Sequence, residues 1–150
     1  LTNTGGSVNI TATENVTDAI VITASGAASA VQVDAGTGSF RIGTGLVIPV
    51  TDVVFADSPY TVLGTDYFIS VDTSGGAVTV TLPAATALEG RTFVIRDTGG
   101  AAAVTNITIG GGGTNLVGGG AAAASKTISA AYAGATVYSN GVTWNYAYVA

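Results

Sequence analysis

A short strand pattern recurs through the first third of the chain with almost no charge and much glycine. It runs Val8-Asn9-Ile10-Thr11-Ala12, Ile20-Val21-Ile22-Thr23-Ala24, Val31-Gln32-Val33-Asp34-Ala35 and Phe40-Arg41-Ile42-Gly43-Thr44. Each unit has an apolar residue, a variable one, a β-branched apolar residue, then small or polar ones. The steps from Val8 to Ile20, Val31 and Phe40 are 12, 11 and 9 residues, which leaves room for one strand and one turn per unit. A unit this short cannot bury its apolar face alone, so neighbours must stack, either within the chain or between identical chains. Such units build a rod rather than a catalytic pocket.

Composition sharpens this reading. Only 9% of the 150 residues are charged against 47% hydrophobic, whereas about a quarter of a typical soluble domain is charged. Long neutral strands left unpaired invite aggregation, so much of the apparent surface is expected to lie between subunits. Net charge is −5, and the four basic residues, Arg41, Arg91, Arg96 and Lys126, are scattered. Without a Lys/Arg cluster there is no phosphate-binding footprint, which argues against nucleic acid as a direct ligand and against a polybasic membrane anchor. No glycine-poor apolar run reaches the length of a spanning helix, so membrane insertion is not expected. Cysteine, histidine and methionine are absent, which removes disulfides and thiolate or imidazole chemistry. The chain opens at Leu1 with neither methionine nor a signal pattern, as expected for part of a longer or processed protein.

Period-two alternation punctuated by glycine predicts an all-β fold. Only Ala84 to Gly90, after Pro83, has helical character, enough for at most one turn. Pro49 and Pro59 bracket Val53-Val54-Phe55, read as a last repeat-like strand, and place a boundary between a stacked-strand stalk, residues 1–57, and a β-sandwich or barrel, residues 58–150. Strands are predicted at Tyr67–Val71, Ala77–Leu82, Arg91–Asp97, Asn106–Ile109, Lys126–Ala130, Ala135–Ser139 and Thr143–Val149, with a short edge piece at Leu116–Val117. Thr73-Ser74-Gly75-Gly76 reads as a hairpin turn, and Ser139-Asn140-Gly141 as a type I′ turn. Alternation assigns Phe68, Val78, Val80, Leu82, Phe93, Ile95, Ile107, Ile109, Ile128, Val137 and Trp144 to the core.

Catalytic arrangements are weakly supported. Ser125 and Lys126 are adjacent, so on a strand they face opposite ways and cannot form a nucleophile–base pair. Asp66, Asp72, Glu89 and Asp97 flank strands where turns and edges favour acids, which accounts for them without a glycosidase pair. Gly110 to Thr114 lacks the Gly-Lys-Ser/Thr ending of a phosphate loop. No calcium loop is present; Asp34, Asp52 and Asp57 are candidates only for a site assembled between chains. Three Asn-x-Thr sequons, at Asn9, Asn15 and Asn106, follow from threonine-rich strands. No enzyme activity, cofactor or metal is therefore expected. The C-terminal aromatics are the one cluster suited to recognition, since aromatic faces stack on sugars. Tyr132, Asn140, Tyr146 and Tyr148 are the candidate receptor contacts, with core or interface packing as the competing role.

The stretches Ser58–Tyr67, Val71–Ala84 and Gly90–Asp97, continued by Asn106–Ile109 and Asn140–Trp144, resemble a β module of bacteriophage structural proteins found in tail fibres, head fibres and related virion appendages. The resemblance covers about the last ninety residues, and the preceding repeats are similar to those before such modules. It departs at Gly110–Ala124, which is longer and blander than the corresponding loop. The resemblance implies a homotrimer on the virion surface, with a triple β-helix or β-prism-like stalk and capsid or tail proteins as partners. Contact with a host surface glycan or protein is a further expectation. A bacterial surface adhesin or structural filament built on the same repeat logic is the alternative.

Overall fold

In a computed structural model, the structure describes Ile42 and residues 45–150. The stalk expected over residues 1–57 lies mainly outside the described residues. The compact C-terminal unit comprises Leu46–Ala150. It begins ahead of residue 58, where the sequence reading sets the boundary. The reason is local: β1 (Val50–Val54) is hydrogen-bonded into a sheet of this unit, in register with β3 (Phe68–Asp72).

The remaining strands are β2 (Tyr60–Thr61), β4 (Val78–Thr81), β5 (Thr92–Asp97), β6 (Ile107–Gly110), β7 (Leu116–Val117), β8 (Ser125–Ile128), β9 (Gly134–Ser139) and β10 (Trp144–Val149). Single 3-10 turns at Phe55–Asp57 and Ala85–Ala87 are the helical elements among the described residues. The expected strands are thus found within a residue or two of their predicted bounds, and the unit is all-β.

The strands form two sheets, ordered β1-β3-β5-β9-β10-β7 and β2-β4-β6-β8. From β1 to β8 the chain changes sheet at every step. Each strand therefore returns to its own sheet by way of a strand in the other one, which gives the parallel pairs β1/β3, β3/β5, β2/β4 and β4/β6. A parallel pair needs such a crossover, here a strand rather than a helix. β6/β8, β5/β9 and β9/β10 are antiparallel.

This topology corrects the reading of Thr73–Gly76. The segment is closed by a Gly76 N–H to Thr73 carbonyl bond, but it carries the chain from one sheet to the other and makes no hairpin. The Ser139–Gly141 segment does join a hairpin, β9/β10. It is not type I′, because Gly141 (φ 81°) alone has a positive φ there and that turn requires two such residues. The Asn140 side chain closes it instead, its Oδ1 accepting the backbone N–H groups of Val142 and Thr143 at 3.0 and 2.8 Å.

Both sheets contribute to one hydrophobic core. Ile69, Val71, Phe93, Ile95, Val137 and Trp144 enter from the larger sheet; Val78, Val80, Ile107, Ile109 and Ile128 enter from the smaller. Phe68 is only half-buried, because Ile69 and Val71 take the inward positions of β3 and turn Phe68 to the outer face. Trp144 lies against Phe93 with ring centroids 5.5 Å apart, and its indole N–H donates to the Pro83 carbonyl at 2.8 Å. That bond satisfies the polar edge of an otherwise apolar anchor.

The connections at one end are fixed by Asp97, fully buried on β5. Its carboxylate accepts the backbone N–H groups of Gly100 (3.1 Å), Ala102 (3.1 Å) and Tyr132 (3.0 Å), and the Thr73 hydroxyl at 3.4 Å. One side chain thus ties three separate loops together. Gly100 (φ 74°) permits this closeness, since a Cβ there would lie 2.3 Å from the Tyr132 ring.

Two stability outcomes follow. Phe93→Ala removes a ring from a close-packed site and should cost about 3–5 kcal/mol, read as a lower denaturant midpoint. Asp97→Ala leaves three amide donors without their acceptor and should cost about 3 kcal/mol, with hydrogen exchange accelerated first at Gly100, Ala102 and Tyr132.

Candidate functional site

The four residues singled out as receptor contacts do not form one surface. Asn140 sits in the β9–β10 turn at one end of the unit, where its side-chain oxygen is engaged in closing that turn. Tyr132 and Tyr148 belong to the opposite end, because Tyr148 pairs across the sheet with Ala135, just after the Tyr132 loop. Tyr132 is 61% exposed and adopts φ 59°. Tyr146 is only 7% exposed and belongs to the core, while Tyr148, two residues along the same face of β10, is 39% exposed.

Two concavities take up these tyrosines separately. The smaller, about 130 Å³, lies on the outer face of the larger sheet between Phe68, Val94, Arg96, Tyr132, Thr136 and Val149. It falls below the roughly 300–1,000 Å³ of typical ligand sites. The larger, about 450 Å³, is lined by Gly119, Lys126, Thr127, Ser129, Tyr146 and Tyr148. It lies between β8, the edge strand of the smaller sheet, and β10 of the larger one. Ile128 faces the core from β8, so Lys126, two residues earlier, holds an inward position on an edge strand. Its ammonium donates to the Ala121 carbonyl at 2.5 Å. Across the cleft, β10 supplies Tyr146 and Tyr148.

The Tyr146 hydroxyl donates to the Thr127 carbonyl at 3.5 Å. Burial, with a smaller contribution from neighbouring Tyr148, pushes its pKa up to about 12. It therefore remains a neutral donor across the physiological range. Gly119 lines the cleft and Gly118 precedes it, with φ values of 61° and 111°. A Cβ on Gly118 would meet the Tyr146 carbonyl oxygen at 2.3 Å, so only glycine lets this backbone lie against β10. The sequence reading named Tyr146 and Tyr148 but missed Lys126, Thr127 and Ser129 as their neighbours. The available signal was a lysine at a core-facing position of the β8 pattern.

Of the carboxylates weighed for chemistry, Asp66, Asp72 and Asp97 have structural partners. Asp66 is buried and accepts the Leu63 N–H (2.7 Å), the Tyr60 hydroxyl (2.7 Å) and the Thr51 hydroxyl (2.8 Å). Burial alone would raise its pKa. The three hydrogen bonds and the charge of Arg91 outweigh that, and the carboxyl sits below its usual value. Desolvation and the Asp66 contact push Tyr60 up to about 12. Arg91 clamps the same turn, its Nη2 donating to the Gly64 and Asp66 carbonyls at 2.6 Å each, with its guanidinium 5.3 Å from the Phe93 ring centre. Among the described residues, no group of three or more His, Cys, Asp or Glu side chains is placed to hold a metal. Nor is any helix long and apolar enough to cross a membrane.

No family model and no curated protein matches the chain.

The Asp66–Tyr60 pair sets two pH limits. Asp66 is lowered on folding, so its contribution is present above the unfolded value of 3.8 and is lost as pH falls through the folded one. Tyr60 is raised, so its contribution is present below 10.0 and is lost as pH rises through about 12. Melting temperature should therefore fall on both the acid and alkaline sides. Asp66→Asn should flatten the acid limb, and Tyr60→Phe should reduce the alkaline one.

Proposed function

We propose that the chain is a structural protein of a bacteriophage particle, a trimeric fibre, spike or capsid-decorating appendage displayed on the virion surface. The observation that carries this reading furthest is the outer face of the larger sheet. β1, β3 and β5 form a parallel sheet, an arrangement that ordinarily has both faces covered. Here one face packs on the core, and the other presents Val50, Val54, Phe68, Val94, Tyr138 and Val149 among small polar residues. Charges on this face are few, with Asp52, Asp72 and Arg96 the ionisable residues of β1, β3 and β5 that share it. Copies of the chain meeting over this face would bury the exposed apolar side chains and remove the sticky surface that low charge creates. The tandem repeats and the resemblance to virion modules supply the biological setting and the three-fold expectation. Capsid or tail proteins are the implied partners, and the free end of the appendage is the part that meets the host.

Sedimentation equilibrium should give a species three times the 14.6 kDa chain mass. Val94→Glu, a charge placed on the outer face, should shift that species toward monomer while circular dichroism stays β-rich. A stable wild-type monomer at micromolar concentration would defeat the trimer. Location is tested by immunogold labelling. Label on purified phage particles supports the appendage, whereas label confined to bacterial envelopes supports the adhesin alternative.

A further inference from the structure

The cleft of about 450 Å³ between β8 and β10 has a composition that selects a ligand class. Its volume lies within the range of small-molecule sites. One wall is aromatic: Tyr148 stands partly open at its mouth, and Tyr146, about 7 Å away along the same face of the strand, forms the floor. The other wall is polar, with Lys126, Ser129 and the backbone of Thr127, whose carbonyl accepts the Tyr146 hydroxyl. The lysine is notable for its setting. It is one of four basic residues in a chain of net charge −5, and it occupies an inward position of its strand. Its ammonium has three donors, one of which is held by the Ala121 carbonyl. That bond holds the head group and leaves two of its donors for another partner.

We propose that this cleft binds a carboxylated pyranose, the uronic or sialic acid unit of an acidic saccharide. The apolar face of the sugar ring lies on Tyr148, its carboxylate pairs with Lys126, and its hydroxyls meet Ser129. Each part answers a specific chemical need. An open tyrosine offers flat contact area at low conformational cost. A partly enclosed ammonium binds a carboxylate more strongly than a fully solvated one does. Hydroxyl side chains act as donor or acceptor to a polyhydroxylated ring. A polyanion such as nucleic acid fits poorly, because one cation gives little counterion release. A purely apolar ligand would leave the ammonium desolvated without a counter-charge.

Lysine on an edge strand also blunts strand–strand association, and tyrosines at a sheet margin also pack. Those roles predict loss of solubility or stability on substitution, but no saccharide binding. The site is independent of the particle reading: labelling decides where the protein resides, and the purified protein alone decides whether it binds.

The test is affinity electrophoresis of the purified full chain in native gels cast with polygalacturonate, alginate or polysialic acid, with dextran as the neutral control. Retardation by at least one acidic polymer and not by dextran is expected, weakening as salt is added. Lys126→Gln and Tyr148→Ala should each weaken that binding about tenfold, with melting temperature within a few degrees of wild type. Both side chains reach the surface, so both variants should fold. The proposal is overturned if no acidic polymer retards the protein, if dextran retards it equally, or if Lys126→Gln binds as tightly as wild type.

Discussion

The unit depends on one constraint: from β1 to β8, consecutive strands never pair with each other. Because the chain alternates between sheets, each strand finds its hydrogen-bond partner only after an intervening strand has been laid in the opposite layer. Val50 pairs with Phe68, and Phe68 with Val94. No pair of adjacent strands can form early and persist alone, so secondary structure and core must appear together. The entropy of closing these loops has to be met before the contacts that reward it are made, which implies slow folding and a high barrier.

Crossing repeatedly between layers creates a problem of polar groups at the sheet ends, and two buried carboxylates solve it. Asp97 gathers the N–H groups of the loops at one end, and Asp66 does the same for the Leu63 turn at the other. Asp97 does so with N–H groups and a threonine hydroxyl alone, since buried carboxylates can be satisfied by several donors as well as by a counter-charge. Arg91, which contacts carbonyls and an aromatic ring, adds its charge near Asp66 and braces the same turn from outside.

Strand positions were largely legible in the sequence because β-branched residues alternate with threonine and serine, and that pattern sets which side chains face the core. Ten of the eleven assigned core residues are buried, and the exception, Phe68, shows how a shift of one residue in phase moves a ring to the opposite face. Strand partnership was not legible. A Gly-rich turn such as Thr73–Gly76 has the same chemistry whether it folds a hairpin back into one sheet or passes the chain to another. The two-residue β2 was too short to leave a pattern. Asp66 and Asp97 resembled ordinary turn acids because their donors are backbone amides and the hydroxyls of ordinary strand residues, which form no recognisable motif. The candidate contacts failed as a group for a related reason: Tyr132, Asn140 and Tyr148 are near one another in the chain, but the β9–β10 hairpin carries them to opposite ends.

That hairpin also has a consequence for how the protein is made. β9 and β10 join the larger sheet to β7, and β10 delivers Trp144, the largest fully buried side chain. During translation the coils formed by β1 to β8 emerge first, with Phe93 and the facing valines lacking the indole that seals them. The core closes only when residues 134–149 have left the ribosome. Until then the nascent chain is an open, weakly charged stack, the state in which neighbouring copies on one message are best placed to mispair. The β9–β10 hairpin therefore acts as a checkpoint in time: it separates an open, association-prone core from a closed one.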